Sequence, residues 1–78
     1  MAVSIPGDSF LHEIEPFGAR RRRKIWRDGT GSHLRYYTWD ALHGEVEVFN
    51  ARGRHLGAVD PVTKAFMKNA EEGRILDL

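Results

Sequence analysis

The chain has 78 residues, no cysteine, and a formal net charge of +1 from 12 basic and 11 acidic side chains. That length allows one small domain with a modest core, and the absence of cysteine excludes disulfides and cysteine-ligated zinc as supports. No apolar run approaches the ~20 residues of a membrane helix and no signal-like stretch follows Met1, so a soluble domain acting in the cytoplasm is expected, with no membrane contact.

Residues 1–8 read as irregular, with a turn at Pro6-Gly7-Asp8. Asp8 suits the N-cap of a short helix over residues 8–15 that gathers Phe10, Leu11 and Ile14 on one side, and Pro16-Phe17-Gly18 should stop it. The run Arg20-Arg21-Arg22-Arg23-Lys24 follows; with Arg27 it holds six of the 12 basic residues. Such a block attracts a polyanion, and Arg35 is grouped with it as a further RNA-contacting cation. Trp26, Tyr36, Tyr37 and Trp39 offer rings on which bases stack, although aromatics in so small a domain also serve the core. The blander reading of the run is a solvated, flexible arm.

Residues 22–27 read as a strand, and residues 27–32, with Asp28-Gly29, as a hairpin connection. Residues 33–39 and 45–50 are the next two strands, then a turn at Ala51-Arg52-Gly53-Arg54 leads to a strand over residues 55–59. Residues 61–72 read two ways: as a helix opened by Asp60-Pro61, with Val62, Ala65, Phe66 and Ala70 at helical spacing, or as a loop. Residues 74–78 should close the chain as a short strand. The expected fold is mainly β, in the α+β class: a small, highly twisted antiparallel sheet of four or five strands with a short N-terminal helix. One domain over residues 1–78 is expected, residues 1–19 forming an N-terminal extension.

The densest chemistry lies in Trp39-Asp40-Ala41-Leu42-His43-Gly44-Glu45-Val46-Glu47-Val48-Phe49. His43, Glu45 and Glu47 are spaced two apart, so a strand would project them from one exposed face and turn Val46 and Val48 toward a core. One imidazole and two carboxylates on a common face form an acid/base set. A plain solvated strand is the competing reading of the same alternation.

Several chemistries fail for want of partners. His43-Gly44-Glu45 matches half of the zinc deaminase signature, but the Cys-x-x-Cys half is missing. His43 with Glu45 and Glu47 could bind a metal, yet no second histidine stands at ligand spacing, and no metal or cofactor is expected. Ser4, Ser9 and Ser32 lack a nucleophile elbow, and no glycine loop cradles a phosphate. Metal-free RNA cleavage remains. It needs a base for the 2′-hydroxyl proton, an acid for the leaving 5′-oxygen and a cation for the phosphorane charge, roles that suit a carboxylate, a histidine and an arginine.

The segments Tyr37-Thr38-Trp39-Asp40, His43-Gly44-Glu45-Val46-Glu47 and His55-Leu56-Gly57-Ala58-Val59-Asp60-Pro61 resemble the cytotoxic domain of the ribosome-inactivating E-group colicins, over roughly residues 20–78. The resemblance implies a twisted antiparallel sheet and an endoribonuclease that cuts small-subunit ribosomal RNA at the decoding site. It implies Asp40, His43, Glu47 and Arg74 as catalytic residues, with Glu45, Tyr37 and Trp39 in support. It also implies two partners, the ribosome and a small acidic immunity protein or antitoxin. The chain departs from that family in a shorter turn at Arg52-Gly53-Arg54, a more acidic stretch before Arg74, and Ile75-Leu76-Asp77-Leu78 in place of a lysine-rich tail. Starting at its own methionine, it reads either as a stand-alone toxin of a toxin–antitoxin pair or as an excised effector domain delivered into a target cell. The alternative from another class is a non-catalytic module that binds RNA or protein.

Overall fold

The computed structural model describes residues 2–78. Its centre is one six-stranded antiparallel sheet in which each strand pairs with the next in sequence: β1 (Glu15–Arg20), β2 (Arg23–Asp28), β3 (Arg35–Asp40), β4 (Glu45–Phe49), β5 (His55–Val59) and β6 (Phe66–Asn69). Strands β2 to β5 stand close to where their β-branched and aromatic content and turn signals place them.

The remaining elements correct the sequence reading. The expected helix over residues 8–15 is only a 3-10 turn, Phe10–Glu13, capped by Ser9, whose hydroxyl accepts from the Leu11 N–H at 3.2 Å. Pro16 disfavours helical backbone at Glu15, and the chain turns extended there. Pro16-Phe17-Gly18, read as a stop, lies inside β1; an edge strand tolerates proline, and the register slips between Pro16 and Gly18 in a bulge that glycine permits. Neither reading of residues 61–72 survives whole. Asp60 Oδ1 accepts the N–H groups of Val62 and Thr63 at 2.8 and 2.9 Å, closing a tight turn with Lys64 at φ 66°. The chain then enters β6 instead of a helix. In place of a closing strand, residues 74–78 supply a single bridge, Arg54 to Ile75.

Both faces of the sheet are covered. On one, Trp26, Val46, Val48 and Val59 pack with Phe10 and Leu11, and Tyr37 and Trp39 lean on this cluster. On the other, Ile25, Tyr36 and Phe49 pack with Phe17, Leu34 and Leu76 of the tail. Two glycines make the close approaches possible. A Cβ on Gly57, at φ 144°, would lie 2.4 Å from the Lys68 carbonyl oxygen, and one on Gly53 would lie 2.6 Å from that of Leu76. Side-chain-free backbone there lets β6 pair closely beside β5 and lets the tail pack against the Gly53 turn.

Candidate active site

The three-residue alternation in β4 leads to a different place from the exposed face expected of it. Glu45 and Glu47 do share a face, but every residue of β4 is buried. His43 lies before the strand, in the turn joining β3 to β4. On the second face the edge strand β6 contributes Lys68 and the tail contributes Glu71, Arg74 and Leu76 to hollows around Glu47, so the carboxylates sit in a cleft, not on a solvated surface.

The β3–β4 register places Thr38 opposite Glu47 and Asp40 opposite Glu45. Asp40 ends β3 and organises the turn: its Oδ1 accepts the N–H groups of Leu42 and His43 at 3.0 and 3.1 Å, while Oδ2 meets His43 Nδ1 at 2.8 Å. Burial pushes the Asp40 carboxyl up, but the bonds from the His43 ring, the His43 N–H and the Leu42 N–H together outweigh it, and its pKa lies below the ordinary carboxylate value. Asp40 is therefore an anion at neutral pH, able only to accept. His43 Nδ1 must carry a proton, and Nε2 is the nitrogen left for chemistry. A depressed carboxyl stabilises the fold above the ordinary carboxylate range and loses that contribution as pH falls through the folded value. Asp40→Asn should thus lower the unfolding temperature at pH 7, and the gap to wild type should narrow as pH falls below the ordinary carboxylate range; a gap independent of pH would mean that packing, not charge, is what the variant loses.

Glu47 is held on both oxygens. Arg74 Nη1 donates to Oε1 at 2.5 Å, and His55 Nε2 meets Oε2 at 3.1 Å. Arg74 also pairs with Glu71. Lys68 of β6 reaches Glu45 Oε1 at 2.8 Å, and the Glu45 carboxylate, helped by the charges of Asp40 and Glu47, holds its ammonium above the ordinary lysine value. Exposure is graded: the side chains of Glu47 and His55 are 11% and 3% exposed, those of His43 and Arg74 about half. A buried carboxylate thus faces accessible cations and an accessible imidazole.

Two hollows that share lining residues form the cleft. One of about 330 Å³ is lined by Asp40, His43, Glu47, His55, Lys68 and Arg74. The other, about 630 Å³, runs from the same Asp40, His43, Glu47 and Arg74 to Arg23 and Leu76. Asp40, His43, Glu47 and Arg74 therefore come together, and Glu45 lies beside them. Trp39 borders the larger hollow, while its Nε1 donates to the Val3 carbonyl at 2.9 Å. Tyr37 lines neither hollow and packs edge-on against Phe10 at 5.4 Å.

The basic run is split. Arg21 and Arg22 form the tip of the β1–β2 hairpin with φ values of 53° and 67°, a turn that normally takes Asn-Gly and costs arginine roughly 1 kcal/mol per residue. Arg23 faces the cleft. Lys24 lies over the Trp26 ring on the other face, 4.9 Å from its centroid. Arg20 donates to the Leu78 carbonyl oxygen at 3.1 Å, and Arg35 to those of Ser32 and Leu34 at 3.3 and 3.0 Å.

His55 is the residue that sequence reasoning missed. It opens the segment His55-Leu56-Gly57 but reads locally only as strand, because its partner Glu47 is eight residues away and is reached through the β4–β5 pairing. Asp40, His43 and Glu45 also offer ligand atoms within 4.8 Å of one another, close enough for a metal ion, although each already has a protein partner.

A buried carboxylate, an imidazole held by a second carboxylate and flanking cations are the groups that acid/base chemistry on a phosphate ester requires. The family model described as Cytotoxic matches residues 13–77. The chain belongs to this family. Colicin E3 of Escherichia coli is 39% identical over 54 residues, covering 68% of this chain and 9% of colicin E3. The chain thus matches only a small part of that relative's length.

Proposed function

We propose that the chain is the ribonuclease of a bacterial toxin. It cleaves small-subunit ribosomal RNA at the decoding site, with the RNA 2′-hydroxyl as nucleophile and no metal ion. The observation that carries this reading is the cleft in which Asp40, His43, Glu47 and Arg74 meet, opening toward Arg23 on one side and Lys68 on the other. Glu47 takes the 2′-hydroxyl proton as the oxygen attacks phosphorus. His43 Nε2 gives a proton to the departing 5′-oxygen, leaving a 2′,3′-cyclic phosphate and a 5′-hydroxyl. Asp40 orients the imidazole and stabilises its charged form. Arg74 has a double task. Free, it pairs with Glu47; a bound phosphate competes for the guanidinium, draws it off Oε1 and thereby releases the base where the scissile group has just arrived. Lys68 and Arg23 add charge at the two ends of the cleft.

Purified protein incubated with intact bacterial ribosomes in EDTA should give one cut in the decoding region of the small-subunit RNA, mapped by primer extension. Uncut RNA would end the ribonuclease reading in favour of a binding module. Cleavage abolished by EDTA and restored by a divalent cation would move the chemistry to Asp40, His43 and Glu45.

The split of the basic run makes its own prediction. Neutralising Arg21, Arg22 and Arg23 should weaken ribosome binding and flatten its log-log salt dependence by roughly one unit for each phosphate no longer neutralised. Neutralising Arg20, tied to the tail, should act on stability instead. An unchanged salt slope in the triple variant would show the hairpin tip to be a solvated loop.

Such an enzyme would poison the cell that makes it, so the reading includes an acidic immunity protein or antitoxin that associates fast and in a salt-sensitive way. Expression should arrest bacterial growth unless that partner is co-expressed. Growth equal to that of a Glu47→Gln control at matched protein level would contradict a toxin. The cytoplasm of the target cell is the site of action on this reading, whether the chain acts alone or is delivered within a larger effector.

A further inference from the structure

His55 is buried, polar and unused by the chemistry above, yet both its nitrogens are engaged. Its ring packs edge-on against Phe49, with centroids 5.4 Å apart. The backbone N–H of Glu71 donates to Nδ1 at 2.9 Å. A nitrogen that accepts an N–H holds no proton, so the ring proton is on Nε2, which donates to Glu47 Oε2 at 3.1 Å. Donor logic therefore leaves one tautomer.

We infer that His55 is a positioning residue for Glu47, fixing which carboxylate oxygen faces the substrate. This rests on the ribonuclease reading. A carboxylate can rotate about its last bond and present either oxygen. Here Oε2 is tied to a ring that is itself wedged between Phe49 and the Glu71 backbone, so Oε1 is the oxygen turned to Arg74 and the cleft. When phosphate takes Arg74 away, Oε1 remains in place because Oε2 does not move. The same ring ties the base to the tail. Glu71 gives its N–H to His55 and its carboxylate to Arg74, so one residue of the β6–tail connection registers both the base and the phosphate-binding cation. Second partners of this kind, which orient a reacting group without touching substrate, set its alignment, and a misplacement of about 1 Å can cost a hundredfold in rate.

A histidine kept only for packing would be replaced by phenylalanine with little effect on turnover. The inference expects His55→Phe to lower single-turnover cleavage of intact ribosomes by about 10- to 100-fold, with the ribosome concentration at half-maximal rate changed less than about twofold. His55→Gln, whose amide carries an acceptor beside a donor, should recover most of the rate. Long-range 1H–15N spectra of the wild-type protein at neutral pH should show His55 with Nε2 protonated and Nδ1 bare. Full turnover in a folded His55→Phe, loss that falls on half-maximal concentration alone, or an Nδ1-protonated ring would each overturn the inference. The spectrum is read on wild type and keeps the question decidable should His55→Phe fail to fold. Wild-type protein that cuts no ribosomal RNA would defeat the ribonuclease reading instead, and the spectrum would still decide the tautomer.

Discussion

Glu47→Gln should reduce cleavage of ribosomal RNA by ~10² or more while leaving the fold intact, the usual scale for removing a general base. The amide keeps the size of the carboxylate and one oxygen for His55 or Arg74, so packing against β5 survives and only the basicity goes. His43→Ala should lose a similar factor for the acid step. Its side chain is half exposed in a turn whose backbone is held by Asp40 Oδ1, so the turn should survive and the stability lost is what the ring bond to Asp40 Oδ2 supplied. Circular dichroism and the unfolding temperature check the fold, and mapped cleavage of intact ribosomes checks the activity. Wild-type rates in both variants would remove Glu47 and His43 from the chemistry.

Gly57→Ala is expected to have the largest effect on stability. The new methyl would meet the Lys68 carbonyl oxygen at 2.4 Å and two Phe66 ring atoms at 2.9 and 3.0 Å, on backbone at φ 144° that alanine rarely adopts. Strain and weakened β5–β6 pairing together should cost about 2–4 kcal/mol, lowering the unfolding temperature by at least about 10 °C in a domain this small. Because β6 carries Lys68 and leads to Glu71 and Arg74, activity should fall further than the folded fraction. An unfolding temperature within about 2 °C of wild type would show that β6 does not close on β5 at Gly57.

Strands β2 to β5 were legible because local signals agreed with the tertiary outcome: aromatic and β-branched runs separated by Asp28-Gly29, Gly44 and Gly53. At the edges of the sheet they did not agree. Pro16 and Gly18 are breakers in isolation, yet an edge strand needs no donor at Pro16, and a bulge uses the freedom of Gly18. Asp60-Pro61 is a helix start by its chemistry, but Asp60 spends its carboxylate on a two-bond turn, and Phe66–Asn69 finds a partner in β5 that no local pattern announces. The burial of Glu45 and Glu47 was hidden for the same reason. Alternation within β4 separates two faces but does not say which is covered, and here the cover comes from the tail and from Lys68 on the edge strand. Asp40 and His43 could be paired from their spacing, since an aspartate ending a strand commonly caps the turn that follows. Arg74 stands 27 residues from Glu47, and only the resemblance pointed to it.

The most direct test of the central claim is the chemistry of the ends at the cut. Ribosomes treated with the protein in EDTA should yield an upstream RNA fragment ending in a 2′,3′-cyclic phosphate and a downstream fragment with a free 5′-hydroxyl, as measured by mass spectrometry of the isolated fragments. Those ends arise only if the 2′-oxygen attacks and the 5′-oxygen leaves. A 5′-phosphate on the downstream fragment, the signature of attack by water with departure of the 3′-oxygen, would contradict the mechanism assigned to Glu47 and His43.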